Sequence, residues 1–142
     1  MQTFLPYAEY AKSAQVLDRE RLNKQRSECK QILRALSGLT AGWVNHPAVR
    51  MWRGSERSLI DYSVAICVEQ RLRGYEDSLL EELRAMSWMF SQATAIPPSW
   101  LGDVQFHTAH RSNLIRKLPG HYAPMWPGVP NNLPYVWPRG RY

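Results

Sequence analysis

The sequence is poor in cysteine and has no long hydrophobic run. Its two cysteines, Cys29 and Cys67, both lie in segments with helical periodicity. We expect small buried hydrophobic residues in a reducing compartment, because two such cysteines do not make a disulfide framework. No apolar stretch approaches the roughly 20 residues that a membrane-spanning helix needs. The first residues, MQTFLPYAEY, lack the basic and apolar regions of a signal peptide, so a cytoplasmic location without a membrane partner is expected.

The motifs of several common enzyme classes are also missing. The absence of GxxxxGKS/T excludes a P-loop protein, and without GxGxxG after a strand no dinucleotide-binding fold is indicated. The absence of GxSxG removes the usual serine hydrolases. His107 and His110 could bind zinc together with His46 or His121, but neither an HExxH motif nor a cysteine pattern accompanies them. We therefore predict neither a metal site nor a cofactor.

Acidic residues are absent from the last part of the chain. None follows Asp103, and the basic residues after it are Arg111, Arg116, Lys117, Arg139 and Arg141. The formal net charge is +6 and the sequence pI is about 9.6. Such an uneven charge distribution favours a polyanion such as DNA or RNA, although a phosphate-bearing small molecule or an acidic protein would also fit. Six tryptophans and seven tyrosines supply rings that can stack on unpaired bases.

Residues 17–36, LDRERLNKQRSECKQILRAL, have the pattern of one long amphipathic helix. Apolar residues recur with helical spacing at Leu22, Cys29, Ile32, Leu33 and Leu36. Basic residues are most frequent in the first half, where Glu20 lies between Arg19 and Arg21. A carboxylate among cations stays ionised at neutral pH, which suits a group that stabilises positive charge or accepts a proton. The alternative is an ordinary solvated helix face.

Proline, glycine and capping residues divide the rest of the chain into further helices. The predicted helical segments are 7–16, 47–73 with Gly54 as a break or a close approach, 77 to about 90, and 104–117. In the second of them Arg50, Arg53 and Arg57 recur at offsets of 3 and 4, which places them on one side of a helix, for solubility or for phosphate contact. Gly38 is the expected stop of the long helix.

The amino-acid composition changes after Leu118. Six of the ten prolines lie there, together with several aromatic residues, which predicts an ordered but irregular tail. No convincing strand pair and no internal repeat is present. The predicted fold class is therefore all-α: a compact single-domain helical bundle over residues 1–142 with an irregular Pro- and aromatic-rich C-terminal tail, which we expect to be a monomer.

A small, basic, helical protein without a cofactor has a natural chemical route on DNA. An amine attacks C1′ of the sugar, a carboxylate stabilises the cationic transition state, and an imine intermediate follows. An N-terminal amine suits this step because α-amino groups have a pKa near 8, far below that of lysine.

Five passages of the chain, taken in order, resemble a known family. They are LDRERLNKQR at 17–26, NHPAVRMWRG at 45–54, RLRGY at 71–75, PPSWLGD at 97–103 and FHTAHRSNLIRK at 106–117. Together they are similar to the pyrimidine-dimer DNA glycosylases of the endonuclease V type. The closing YVWP at 135–138 is similar to that of the bacterial and phage branch. The resemblance covers almost the whole chain, although no motif is diagnostic by itself.

The resemblance implies a compact all-helical domain that binds duplex DNA in a basic concave surface, kinks it and displaces a base. In this family the glycosidic bond is cut by the α-amine of the residue exposed by removal of the initiator Met. The strand is then cleaved at the abasic site. A catalytic glutamate beside an arginine on the first long helix assists.

Two positions of this sequence depart from the family pattern. Gln2 stands where the repair enzymes have a small residue, so Met1 is expected to remain. The nucleophile is then either the amine of Met1, displaced by one residue, or absent. In an ungapped match Asn23 takes the position of the catalytic glutamate. Arg19-Glu20 matches the Arg-Glu pair of the family only if the helix is shifted by about one turn. The catalytic candidates implied by the resemblance are therefore Met1, Gln2, Glu20 and Asn23.

The main hypothesis is a DNA glycosylase with abasic-site lyase activity on duplex DNA that carries a damaged or modified base. The alternatives are a non-catalytic module of the same fold that binds nucleic acid or a nucleotide-like ligand, and an enzyme that acts on a small modified nucleotide. The predicted phosphate-binding residues are Arg19, Arg21, Lys24, Arg26, Arg50, Arg53, Arg111 and Lys117. The predicted pocket residues are His46, Trp52, His107, His110 and Asn113.

Overall fold

The computed structural model describes residues 1–141, which form helices and no strand within that range. The α-helices are α1 (Tyr10–Val16), α2 (Arg19–Leu36), α3 (Pro47–Arg50), α4 (Glu56–Leu72), α5 (Leu79–Met86), α6 (Val104–Lys117) and α7 (Pro119–Tyr122). Short 3-10 helices cover Ser87–Met89, Gln92–Ala95 and Ala123–Met125. The prediction of an all-α fold is confirmed. No helix of the described range is both long and apolar enough to cross a membrane.

The long helix α2 packs its apolar face against α4, which also contacts α1 and α5. Leu22, Cys29, Ile32 and Leu33 are fully buried on that face, as the spacing predicts. The helix ends where expected. Gly38 has a φ of +79°, a conformation that glycine adopts without a steric penalty, and the next N–H, that of Leu39, returns to the carbonyl of Arg34 at 3.0 Å.

The second predicted helical region is two helices joined by a turn. Helix α3 ends at Arg50, Gly54 has a φ of +86°, and α4 starts at Glu56. The prediction that three arginines share one side of a helix is therefore wrong. Arg50 lies on α3, Arg53 in the turn and Arg57 on α4, where the Arg57 guanidinium contacts the amide oxygen of Gln92.

Two other helix boundaries differ slightly from the prediction. Helix α1 begins at Tyr10, because Ser13 Oγ accepts the N–H of Tyr7 at 3.1 Å and donates to the Tyr7 carbonyl at 3.0 Å, which holds the preceding chain outside the helix. Helix α5 ends at Met86 and continues as the 3-10 helix Ser87–Met89. Helix α6 has the expected bounds, and Asp103 caps it by accepting the N–H of Phe106 at 3.0 Å.

The C-terminal tail lies against α6 and then against α3. Asn113 on α6 donates to the carbonyl of Leu133 at 3.1 Å. Further along, the N–H of Gly140 donates to the carbonyl of Arg50 at 3.1 Å, and the N–H of Arg141 donates to the carbonyl of Arg53 at 2.8 Å. These bonds hold the tail between α6 and the C-terminal end of α3.

Candidate active site

The chain begins with an extended segment, residues 2–6, that is buried between helices. It belongs to no helix or strand, so its peptide groups need other partners inside the protein. Side chains of α2, α4 and α6 provide them. The partners are Gln25 and Glu28 on α2, Tyr62 on α4, and His107, His110 and Arg111 on α6.

Helix α2 holds the start of this segment through a carboxylate and an amide. Glu28 Oε2 accepts the N–H of Gln2 at 3.3 Å. Gln25 donates to the Gln2 carbonyl at 2.8 Å and to Glu28 Oε2 at 3.0 Å, and its own oxygen accepts the N–H of Phe4 at 3.0 Å. Tyr62 completes the network: the single proton of its hydroxyl is shared between the Phe4 carbonyl at 2.7 Å and the side-chain oxygen of Gln25 at 2.8 Å. This network positions the backbone that carries the α-amine of Met1.

Helix α6 holds the end of the segment with residues that we predicted to line a pocket rim. Nδ1 of His110 accepts the N–H of Leu5 at 3.0 Å, and Nδ1 of His107 lies 2.7 Å from the Leu5 carbonyl. Because His107 Nε2 accepts the N–H of Gly102 at 2.9 Å, its Nδ1 carries the proton and donates. Arg111 donates to the Pro6 carbonyl at 2.8 Å. In the structure these three side chains hold the backbone of Leu5 and Pro6, and none of them lines the cleft described below.

Burial keeps both of these histidines neutral. It lowers the pKa of His110 to about 3, with the charge of His107 as a second cause. It also lowers the pKa of His107, against the opposing effect of the hydrogen bond to Leu5. A neutral ring is what the arrangement requires, because Nδ1 of His110 serves as a hydrogen-bond acceptor.

Two more predicted pocket residues also lie inside the protein. Trp52 is fully buried and donates its indole N–H to Thr3 Oγ1 at 3.0 Å. Asn113 is 4% exposed and donates to the carbonyls of Ala109 and Leu133. Both residues organise the core and the tail, and neither lines the cleft described next.

A cleft of about 190 Å³ opens beside the N-terminal residue. Its lining residues are Met1, Gln2, Phe4, Glu20, Arg21, Lys24, Glu28, Lys117 and Tyr135. The structure therefore brings several predicted residues together around Met1: two of the catalytic candidates, Gln2 and Glu20, and three of the phosphate candidates, Arg21, Lys24 and Lys117. The cleft brings the N-terminal residue, two carboxylates and several cations to one place.

The two carboxylates of the cleft differ in environment. Glu28 is 9% exposed and receives the hydrogen bonds from Gln2 and Gln25, with the Lys24 ammonium 4.0 Å from its other oxygen. Glu20 is exposed and also borders a second depression between α2 and the residues around Tyr75. A buried, oriented carboxylate interacts more strongly with a nearby positive charge than a solvated one does.

Asn23 lies in that second depression and not in the cleft. The depression measures about 510 Å³ and is lined by Arg19, Glu20, Asn23, Gln70, Tyr75 and Glu76. The Asn23 side-chain oxygen accepts a hydrogen bond from Arg26 at 3.1 Å. The family position that Asn23 takes in the ungapped match therefore does not line the cleft beside Met1 in this protein.

The other predicted phosphate-binding residues have varied environments. Arg26 forms an ion pair of 2.6 Å with the buried carboxylate of Asp77, so its charge is neutralised locally. The Arg19 guanidinium stacks over the ring of Tyr75 at 4.2 Å. Arg53 donates to the carbonyl of Val44 at 3.3 Å, and Arg50 is exposed. None of these four arginines lines the cleft.

His46 is the N-cap residue of α3 and does not line the cleft. Its Nδ1 accepts the N–H of Ala48 at 3.0 Å, so in the neutral ring Nε2 carries the proton. Burial lowers the pKa of His46, and the positive charge of the Met1 amine lowers it further, while Glu28 acts in the opposite direction. Its ring makes edge-to-face contacts with both Trp43 and Trp137.

The sequence contained a signal for Glu28 that the analysis of motifs missed. Glu20, Lys24 and Glu28 recur every four residues, a spacing that places them along one face of a helix. Tyr135 had no comparable signal, because it reaches the cleft only through the path of the tail. Within residues 1–141 no three His, Cys, Asp or Glu side chains converge in a way that could hold a metal ion.

The fold and this cleft define a small helical protein with an N-terminal amine, two carboxylates and a cationic rim. A family model described as pyrimidine dimer DNA glycosylase matches residues 1–82, more than half of the chain, and the protein belongs to that family. Membership supports DNA glycosylase activity in general, with DNA as the substrate. Searches of curated proteins and of solved structures gave no match for this chain.

Proposed function

We propose that this protein is a DNA glycosylase with abasic-site lyase activity, acting as a monomer on duplex DNA that carries a damaged base such as a pyrimidine dimer. The observation that carries the proposal is that Met1 lines the same cleft as Glu20 and Glu28, with Lys24 and Lys117 at its edge. All the groups that the chemistry needs come from one chain, which supports action as a monomer.

In the first step the α-amine, as the free base, attacks C1′ of the damaged nucleotide. A nitrogen–carbon bond forms while the glycosidic bond breaks, and the base leaves with the bonding electron pair and is protonated. Glu28, the carboxylate nearer the N-terminal backbone, stabilises the positive charge that develops on the sugar, and Glu20 adds a weaker field from the mouth of the cleft.

The second step cleaves the strand. After the amine has lost its protons, ring opening gives an imine between the N-terminal nitrogen and C1′. This imine acidifies the hydrogen on C2′, a carboxylate of the cleft removes it, and the C3′–oxygen bond breaks with release of the 3′ phosphate. Water then hydrolyses the imine and regenerates the amine. No cofactor enters either step.

The cations around the cleft bind the phosphates on either side of the damaged nucleotide. Lys24 is 70% exposed and its ion pair with Glu28 is long, at 4.0 Å, while Lys117 is exposed at the end of α6, so both side chains can reach a DNA backbone. Each phosphate contact on duplex DNA releases counterions. It makes the slope of log K against the logarithm of the salt concentration more negative by about 0.9.

The experiment uses three duplexes: one with a single pyrimidine dimer, one with a single abasic site and one undamaged. The proposal predicts base release and strand cleavage on the first, strand cleavage on the second and no cleavage of the third. Salt-sensitive binding to all three without cleavage of any would contradict it and indicate a binding module. Cleavage of a modified mononucleotide together with weak binding to every duplex would indicate an enzyme on small nucleotides.

A further inference from the structure

A groove between α4, α5 and the first two 3-10 helices lies outside the candidate active site. It measures about 410 Å³, and residues of all four elements line it. None of them lines the cleft beside Met1 or the second depression. We call this surface the α4–α5 groove. The chemistry proposed above makes no use of it.

Part of the lining of the α4–α5 groove is apolar, and exposed apolar side chains lie beside it. Ile60 and Val64 on α4 and Ala95 on the second 3-10 helix line the groove. Trp88, in the first 3-10 helix, is 86% exposed, and Ile96, which follows Ala95 in the chain, is 58% exposed. Apolar side chains grouped around a depression are typical of interaction surfaces, because their contact with water is unfavourable.

Two arginines line the same groove. Neither Arg57 on α4 nor Arg84 on α5 belongs to any of the ion pairs formed among residues 1–141. The Arg57 guanidinium contacts the amide oxygen of Gln92, which is uncharged. An arginine presents a planar fork of donors that matches a carboxylate, so two such side chains without a carboxylate partner favour an acidic ligand.

A carboxylate in the groove indicates which kind of acidic ligand fits. Asp61 lines the groove on α4, and it also forms none of the ion pairs of residues 1–141. Burial raises the pKa of Asp61, against the opposing effect of the Arg57 charge. A carboxylate repels phosphates, and a DNA backbone has no N–H group to donate to it. A polypeptide brings carboxylates for the arginines together with backbone N–H groups for Asp61.

We propose that the α4–α5 groove is the docking site for an acidic segment of a partner protein. Aspartate or glutamate side chains of the segment pair with Arg57 and Arg84, and one of its backbone N–H groups donates to Asp61. An apolar side chain of the segment packs against Val64, beside Trp88. Because the groove shares no residue with the cleft, the partner can dock while DNA is bound. This inference goes beyond the proposed function and does not depend on it.

The probe is a short fluorescein-labelled peptide in which aspartates flank a leucine and a phenylalanine. Its affinity for the full chain is measured by fluorescence anisotropy. Two matched peptides isolate the features that the groove should recognise: one has lysines in place of the aspartates, and the other has serines in place of the two apolar residues. The proposal predicts that the wild type binds the aspartate peptide roughly tenfold more tightly than it binds either matched peptide.

Two variants and a control locate the binding. Arg84→Glu reverses one charge of the groove, and Trp88→Ala removes the exposed indole. The control is Arg139→Glu, which makes the same change of charge at an exposed position of the tail, outside the groove. Arg84→Glu should weaken binding of the aspartate peptide roughly tenfold, and Trp88→Ala should weaken it at least about fivefold. Arg139→Glu should change it by less than about twofold.

Several results would overturn the docking site. The wild type could fail to bind the aspartate peptide, or it could bind the serine peptide equally well. Equal weakening by Arg84→Glu and Arg139→Glu would show attraction by net charge alone. Weaker binding of duplex DNA by Arg84→Glu, with unchanged binding of the peptide, would assign the groove to nucleic acid. A wild-type dimer in sedimentation that Trp88→Ala converts into a monomer would assign it to a second copy of the chain.

The docking site and the proposed function are tested separately. Peptide affinity is measured without DNA, and cleavage of the damaged duplex is measured without peptide. Because Arg84 and Trp88 lie outside the cleft, cleavage by both variants should match that of the wild type. Selective loss of peptide binding, in a protein whose wild type cleaves no DNA, would retain the docking site and remove the enzyme. Wild-type cleavage without peptide binding would retain the enzyme and remove the docking site.

Discussion

The ring of His110 accepts the backbone N–H of Leu5 at 3.0 Å, although 105 residues separate the two along the chain. This bond ties the last predicted helix to the segment that carries the N-terminal amine. Because the acceptor is a ring nitrogen, the bond exists only while the histidine is neutral. The geometry of the candidate active site therefore depends on the protonation state of a fully buried residue.

Stability should depend on pH through this residue. The pKa of His110 is about 3 in the folded protein and 6.5 as its ordinary value, so between these values the unfolded state binds a proton that the folded state excludes. The contribution is complete above pH 6.5 and is lost as the pH falls toward 3. The free energy of unfolding should fall by up to about 1.4 kcal/mol per pH unit from this group.

Urea unfolding at pH 5, 6 and 7 checks this dependence against His110→Asn. The asparagine oxygen can accept the same N–H but does not titrate, so the variant should show a shallower pH slope. The buried His107 remains in the variant and retains a slope of its own. Equal slopes in both proteins would show that His110 is not excluded from protonation by the fold.

The two carboxylates should differ in their contributions to catalysis. Glu28→Gln retains an oxygen for the Gln2 N–H and removes the charge, so the fold should persist while single-turnover base release slows roughly a hundredfold or more. Glu20→Gln should slow it about tenfold, because an exposed charge is screened by water. Binding to the damaged duplex should remain in both variants. The reverse order of the two rates would assign the main role to Glu20.

The packing of the tail against α3 should require a glycine at position 140. A Cβ added to Gly140 would clash with the carbonyl oxygen of Arg53 and would lie 2.7 Å from that of Arg50. Both neighbours are backbone atoms that cannot rotate away, so Gly140→Ala should separate the tail from α3 and destabilise the protein by about 1–3 kcal/mol. Gly128→Ala is the matched control, because nothing lies within 4 Å of the added Cβ.

Thermal unfolding and the fluorescence of the tail tryptophans measure this effect. Gly140→Ala should lower the Tm and expose Trp137, whereas Gly128→Ala should leave both unchanged. A Gly140→Ala protein with the wild-type Tm would contradict the observed contact between the tail and α3.

The elements that could be predicted from the sequence are those fixed by local chemistry. The apolar spacing of α2, its stop at Gly38 and the Asp103 cap of α6 depend on residues within one or two helical turns, and the structure has all three. The spacing of Arg50, Arg53 and Arg57 predicts a shared helix face only if one helix runs through all three residues. In the structure α3 ends at Arg50 and α4 starts at Glu56, so this inference fails.

The candidate site was predicted less completely, because long-range contacts decide it. The spacing of His107 and His110 beside Arg111 predicts a polar rim around a binding pocket. In the structure both histidines are buried, because they form hydrogen bonds with the backbone of Leu5. Glu28 was overlooked for the same reason. Its role follows from the path of residues 2–6, and no local pattern shows where an extended terminal segment will lie.

The N-terminal nucleophile is the central claim, and imine trapping tests it most directly. The full chain is incubated with a labelled duplex that carries one abasic site, borohydride is added, and the adduct is located by mass spectrometry of peptides. The intact mass of the chain shows in the same experiment whether Met1 is present. The account predicts an adduct on the α-amine of the N-terminal residue. An adduct on Lys24 or Lys117, or no adduct despite tight binding of the duplex, would contradict it.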